Sequence, residues 1–289
     1  MIQYTPGQTF YYQLSDAIDA QDFATLETLY HPDAVSLSMS TGQVFRGRKA
    51  ILDSFKRAFQ IGGAISSRAV ESLVEAGGAV CVEAQLSTRI AQMQTYDIYL
   101  LQAGMVKQHV GGLISPRPPI GQESVQGWSQ AKGAALYQQY WQALAARDFS
   151  TLANLYHPDA ISVACSTNQF YRGRAAIIGL LKEGTANGGY VKLNSVESFV
   201  ESGEIICVEI TQTARRVSEL GPVQIDALMY DVFVLHAGRI LQHFGGAIAP
   251  RGPEIQQAAQ EQMKRLIEAA RDRGTKLWDA THPRRYPWG

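Results

Sequence analysis

Two aspartate–histidine combinations occupy equivalent places in two halves of this chain, and each is chemically suited to moving protons. Asp97 precedes His109 by twelve residues, and Asp231 precedes His243 by the same distance. Between them lie Leu101-Gln102-Ala103-Gly104-Met105 and Leu235-His236-Ala237-Gly238-Arg239. Each reads as a hairpin with a three-residue loop whose last residue, glycine, takes the left-handed conformation. Pairing 101 with 105 and 235 with 239 sets Asp97 directly across from His109, and Asp231 directly across from His243. Directly opposed residues share one face of a sheet with Cβ atoms roughly 4.5–5.5 Å apart, within hydrogen-bonding reach. A carboxylate that orients an imidazole and raises its basicity is a proton-transfer unit. The same pairs could equally be satisfied polar contacts inherited from one ancestral copy. They could also face a domain interface, because neither face of these strands is uniformly apolar.

Other residues carry weaker chemistry. Glu83 and Glu209 lie mid-strand among aliphatic neighbours, where an unpaired charge is costly. They suit pocket acids, or partners of Arg89 and Arg215 between two sheets. His31 and His157 precede Pro32 and Pro158 in a helix-to-strand turn and suit local capping. Tyr11, Tyr12, Tyr137, Tyr140 and Trp141 recur on the first helix of each half, as core residues or as lining for a flat apolar ligand. Cys81, Cys165 and Cys207 have no metal-ligand spacing and read as buried small hydrophobes. We expect no metal and no cofactor.

The elements that must position these residues are written twice. Leu29-Tyr30-His31-Pro32-Asp33-Ala34 returns as Leu155-Tyr156-His157-Pro158-Asp159-Ala160, an offset of 126 that becomes 134 by Tyr96-Asp97 and Tyr230-Asp231. The eight extra residues fall near Ser218–Gln224, where Gly221-Pro222 suggests an extended hairpin tip. A period this long makes each copy a whole small domain rather than a solenoid unit. Each copy opens with two helices and a His-Pro-Asp-Ala turn. A short strand, Val35–Ser40 or Ile161–Ser166, follows with one aliphatic and one small polar face. Arg-Gly-Arg then turns into a third helix, and three or four long strands complete the copy. Helices first and a mainly antiparallel meander afterwards is an α+β pattern. We place the first domain with its linker at 1–125, the second at 126–253, and a C-terminal helix with an aromatic, basic tail at 254–289.

The chain has 289 residues, 46% hydrophobic and 18% charged, with zero formal net charge. That balance offers no bulk attraction to nucleic acid or an anionic membrane. No apolar run reaches the roughly 18–20 residues of a membrane-spanning helix. The N-terminus lacks a basic start and apolar core, so we expect no signal peptide and a cytoplasmic location.

The run Ala-Leu-Ala-Ala-Arg-Asp-Phe-Ser-Thr-Leu-Ala-Asn-Leu-Tyr-His-Pro-Asp-Ala at 143–160, the Arg-Gly-Arg turns and Tyr-Asp-Val-Phe-Val-Leu-His-Ala-Gly-Arg-Ile at 230–240 resemble the SnoaL-like, or NTF2-like, family. Ketosteroid isomerase is its best-known enzyme. The resemblance implies two tandem cone-shaped α+β barrels, each with an apolar pocket between helices and a curved sheet, paired as an intramolecular pseudo-dimer that could oligomerise further. It places Asp97 and Asp231 at the protonated aspartate of an oxyanion hole and Tyr140 at that hole's tyrosine, where the first copy has Leu14. The family's general-base aspartate falls on Ser38 and Ala164, neither of which abstracts a proton at neutral pH. That departure removes the isomerase mechanism as such.

The family includes isomerases, dehydratases, cyclases, epoxide hydrolases and non-catalytic binding modules, so fold alone does not choose among them. The expected function is cofactor-free acid/base chemistry on an apolar polyketide-, terpenoid- or steroid-like molecule. Asp97, His109, Asp231, His243 and Tyr140 would act on it. Tyr11, Leu14, Ser38 and Tyr99 would line the first pocket; Tyr137, Trp141, Ala164 and Phe233 would line the second. The alternative is a carrier of a hydrophobic small molecule.

Overall fold

The computed structural model describes residues 4–116, 125–218 and 221–249. The expected C-terminal helix and tail at 254–289 lie outside the described residues.

Each copy begins with a capped helix. In α1 (Pro6–Asp19), Thr5 and Gln8 form a reciprocal capping box, and Pro6 occupies the first turn, where its missing N–H costs nothing. Phe10, Tyr11, Leu14 and Ala17 form its buried stripe; in α4 (Ala134–Ala146) the stripe is Tyr137, Tyr140, Trp141 and Leu144. Asp22 and Asp148 cap the short helices α2 (Phe23–Leu29) and α5 (Phe149–Leu155). The third helices are α3 (Arg48–Gly62) and α6 (Arg174–Gly184).

The strands of the first copy are β1 (Tyr30–Ser38), β2 (Gln43–Arg46), β3 (Ser66–Ala76), β4 (Ala79–Ser87), β5 (Gln92–Gln102) and β6 (Met105–Ser115). They form one sheet in the order β2-β1-β6-β5-β4-β3, in which only the β1–β6 pair is parallel. The second copy repeats that order with β7 (Tyr156–Ala164), β8 (Gln169–Arg172), β9 (Tyr190–Ser202), β10 (Ile205–Ser218), β11 (Gly221–His236) and β12 (Arg239–Ala249). The eight extra residues lengthen β10 and β11, whose pairing continues to Ser218 opposite Gly221. The His-Pro-Asp-Ala segment was expected as a turn. It lies inside β1 and β7, where the pairing skips from Tyr30 to Val35 and so absorbs the proline as a bulge at the sheet.

The hairpin register also differs from expectation. The β5–β6 loop contains two residues, Ala103 (φ +52°) and Gly104 (φ +78°), flanked by the pair Gln102–Met105. Two consecutive left-handed residues make the mirror-image turn whose twist matches a two-stranded ribbon. The extra residue sits in the strand instead: Leu101 pairs with Val106 and Leu100 with Gln108, leaving Lys107 as a bulge. Asp97 therefore opposes Gly111, and His109 opposes Tyr99. The second copy is the same, with Asp231 opposite Gly245 and His243 opposite Phe233. The partner has moved by two residues, which preserves side-chain parity, so aspartate and histidine still share a face.

Alternation along these strands divides each sheet between two cores. Asp97 and Tyr99 face the helices, where Tyr99, Tyr30, Leu14 and Leu26 join one buried cluster. Tyr96, Ile98 and Leu100 face the other copy and meet Tyr230, Val232 and Phe244 in a cluster shared by both sheets. At its centre the Tyr96 and Tyr230 rings stack 3.9 Å apart, 4° from parallel. Tyr96 donates to Glu209 Oε1 at 2.8 Å, and Tyr230 donates to Glu83 Oε1 at 2.9 Å. These glutamates are thus buried interface acceptors rather than pocket acids. A hydroxyl from the opposite copy lowers the cost of burying each carboxylate.

Candidate functional site

In the second copy, the helix-facing side of β11 and β12 carries a continuous hydrogen-bonded chain. Tyr137, on α4, donates to Asp231 Oδ2 at 2.8 Å. Asp231 Oδ1 lies 3.2 Å from His243 Nε2, and His243 Nδ1 lies 2.9 Å from the Tyr156 hydroxyl. A carboxylate only accepts, so the ring nitrogen facing it donates to it, and Nδ1, when it carries no proton, accepts from Tyr156. The Tyr156 ring packs edge-on against Tyr140, centroids 6.4 Å apart. Burial, reinforced by the Asp231 charge, pushes Tyr137 and Tyr140 above the usual phenol range. Burial does the same to Tyr156, so all three phenols remain donors at neutral pH.

The aspartate and histidine sit diagonally, a spacing of about 7–8 Å between Cα positions that side chains can bridge only when nothing intervenes. Gly111 and Gly245 provide the gap. A Cβ at Gly111 would stand 2.6 Å from Asp97 Oδ1 and 3.3 Å from His109 Nε2; at Gly245 it would stand 3.3 Å from Asp231 Oδ1. The next glycines, Gly112 and Gly246, project to the opposite face, where any Cβ would run into the Tyr96 or Tyr230 ring. One Gly-Gly pair thus opens the site on one face and admits the interface tyrosine on the other.

The first copy differs. Asp97 Oδ1 lies 2.9 Å from His109 Nε2, but its Oδ2 accepts from Thr95, and His109 Nδ1 lies 3.2 Å from Ser36 Oγ. In Tyr11, the counterpart of Tyr137, burial and then the Asp97 charge push the phenol up to about 12. Leu14 replaces Tyr140 and is core. Tyr30, the counterpart of Tyr156, is fully buried, and its hydroxyl has no hydrogen-bond partner. Tyr99 stacks on His109 at 4.5 Å and 14°.

The expected site residues are therefore brought together with one exchange of roles. Tyr137, expected as lining, is the donor to Asp231. Tyr140, expected as the oxyanion-hole tyrosine, packs edge-on against His243 at 5.9 Å. The helix explains this: Tyr137 lies one turn before Tyr140 and so nearer the aspartate row. Phe233 meets the His243 ring edge-on at 4.5 Å, and Trp141 packs edge-on to Tyr140 at 5.9 Å. Ser38 and Ala164 pair with Gly111 and Gly245, in the same rows as Asp97 and Asp231. Ser38 Oγ accepts from Thr41. Ser36, Tyr30 and Tyr156 were not singled out, although the repeat of both tyrosines and of Ser36 as Ser162 was a usable signal.

The expected open apolar pocket is largely filled. Tyr137, Tyr156 and Phe233 are fully buried between helices and sheet, while Asp231 and His243 keep 13% and 12% of their side chains exposed. A shallow groove of about 480 Å³ lies elsewhere, among Arg68, Gln85, Leu86, Met93 and Ser115, away from both aspartates. Among the described residues, no group of three His, Cys, Asp or Glu side chains could hold a metal ion, and no helix is long and apolar enough to cross a membrane.

Three similar solved structures each align over less than half of this chain. A protein assigned as a SnoaL-like polyketide cyclase from Shewanella denitrificans OS-217 shares 17% identity over 44% of this chain and 96% of that one, with a TM-score of 0.39. IdmH from Streptomyces antibioticus, assigned as a polyketide cyclase, shares 18% over 37% and 91%, at 0.33. An LEH-like epoxide hydrolase from M. tuberculosis shares 20% over 39% and 80%, also at 0.33. No curated protein matches the chain by sequence. The model of the SnoaL-like domain matches residues 11–109 and again 137–243, more than half of the chain and one match per copy, so the chain belongs to the SnoaL-like domain family.

Proposed function

We propose that the second copy, within a domain spanning 126–253, is a cofactor-free acid/base site for an apolar polyketide-, terpenoid- or steroid-like small molecule. The supporting observation is the chain Tyr137–Asp231–His243–Tyr156, held against apolar walls. Both ring nitrogens of His243 are engaged, whereas each Asp231 oxygen keeps a second lone pair. Asp231 is therefore the group that meets substrate, and His243 is a positioning residue. This reverses the expectation that histidine acts and aspartate orients. Ala164 and Gly245 beside Asp231 put only a methyl and a hydrogen in its row. Asp231 would take a proton from a carbon next to a carbonyl and return it elsewhere, the common step of isomerisation, dehydration and cyclisation.

Deuterium uptake into an enolisable polycyclic ketone, followed by NMR in D2O, tests this. Wild type should catalyse exchange, Asp231→Asn should lose at least 100-fold, and Tyr137→Phe should lose about tenfold, as general acid–base contributions run. Exchange that survives Asp231→Asn but is lost in Asp97→Asn would overturn the assignment. Binding of the ketone with no exchange above buffer would favour the carrier instead.

A further inference from the structure

We propose that the first copy carries a different activity, in which Ser36, His109 and Asp97 form a nucleophilic serine site that cleaves small carboxylic esters. The three side chains are in series: Ser36 Oγ is 3.2 Å from His109 Nδ1, and His109 Nε2 is 2.9 Å from Asp97 Oδ1. Asp97 accepts the Nε2 proton, which leaves the Nδ1 lone pair facing the serine hydroxyl and makes Ser36 the donor. That is the relation between nucleophile, base and orienting carboxylate required for acyl transfer. Tyr99, flat against the imidazole at 4.5 Å, fixes the ring plane in which this alignment holds.

The second copy is an internal control. It has the same three residue types as Ser162, His243 and Asp231, yet His243 Nδ1 is taken by the Tyr156 hydroxyl. In the first copy, that exchange leaves the Tyr30 hydroxyl fully buried without a partner. Burial and the Asp97 charge hold it protonated, so it is an unused donor beside the site. Asp97 and His109 keep 20% and 12% of their side chains exposed and Ser36 keeps 8%, a narrow entrance suited to a small ester.

The chemistry balances without a cofactor. Ser36 Oγ bonds to the carbonyl carbon while its proton passes to His109 Nδ1, and Asp97 stabilises the imidazolium. Collapse breaks the carbon–alkoxy bond, and His109 returns the proton to the departing alcohol. Water then attacks the acyl-serine, giving one proton to His109. That proton restores the Ser36 hydroxyl as the carboxylic acid leaves.

The full chain is treated with a small fluorophosphonate and analysed by intact mass and peptide mapping, alongside p-nitrophenyl acetate hydrolysis. One adduct on Ser36 is expected, absent in Ser36→Ala, formed at least 100-fold more slowly in His109→Gln, and unchanged in Ser162→Ala. Ester hydrolysis should follow the same order. A Ser36→Cys variant covers the case in which Ser36→Ala does not fold. Its introduced thiol should be alkylated by iodoacetamide at least tenfold faster than when combined with His109→Gln. No adduct, an adduct that persists in Ser36→Ala, or alkylation indifferent to His109 would overturn the proposal. None of these outcomes bears on proton exchange at Asp231.

Discussion

At Gly111 a single missing side chain allows two functional groups to meet. A methyl there would lie 2.6 Å from Asp97 Oδ1, closer than non-bonded atoms tolerate, so the short aspartate side chain must turn off His109. Gly245 is more forgiving, because the nearest oxygen would be 3.3 Å away. We therefore expect Gly111→Ala to break the Asp97–His109 hydrogen bond and to cost about 1–3 kcal/mol, the scale of a polar group left unpaired. Gly245→Ala should cost less and keep Asp231 on His243. Long-range proton–nitrogen NMR of the two imidazoles, with denaturant melts, checks both. An unperturbed His109 ring in Gly111→Ala would show that the diagonal contact does not depend on the gap.

Each β-hairpin sets the register by its turn and its bulge together. Ala103 and Ala237 hold left-handed backbones at φ +52° and +49°, a conformation that alanine adopts at some cost and asparagine more readily. Replacing either by asparagine should raise stability by about 0.5–1 kcal/mol without shifting the strands. Thermal unfolding measures the gain, and unchanged NMR signals from the Asp97 or Asp231 row would show that the pairing is kept. A loss of stability would mean that the loop is not a two-residue turn. The bulges at Lys107 and Leu241 matter equally: the turns alone would set Asp97 opposite Val110 and Asp231 opposite Phe244, and the bulges move those partners on to Gly111 and Gly245.

Across the whole molecule, the two sheets share one core. The stacked Tyr96 and Tyr230 rings bring their hydroxyls to Glu209 and Glu83, each 1% exposed. Tyr230→Phe keeps the stacking but removes a donor from Glu83, which still accepts from Ser166. The expected loss is about 1–3 kcal/mol, with unfolding still a single transition in which both copies melt together. Melts followed by near- and far-ultraviolet circular dichroism would report it. Two separated transitions in the wild-type chain would show that the copies do not stabilise one another.

The repeat, the α+β class and the Asp–His partnership were legible in the linear chain, because period, alternation and strand parity are local properties that survive a register error of two residues. Even the Gly-Gly pairs were visible as repeated letters. Their meaning was not, since each glycine answers to a different partner: Asp97 and His109 on one face, the Tyr96 ring on the other. Which tyrosine reaches Asp231 depended on the depth at which α4 packs over the sheet, a tertiary distance that helical spacing leaves free between Tyr137 and Tyr140. The divergence of the two sites was likewise decided in three dimensions. Ser36 and Ser162, His109 and His243, Asp97 and Asp231 match as letters, but Leu14 in place of Tyr140 and the rotation of one imidazole give His109 a serine partner and His243 a phenol. A hydrogen bond depends on fractions of an ångström, and only the packed interior determines those.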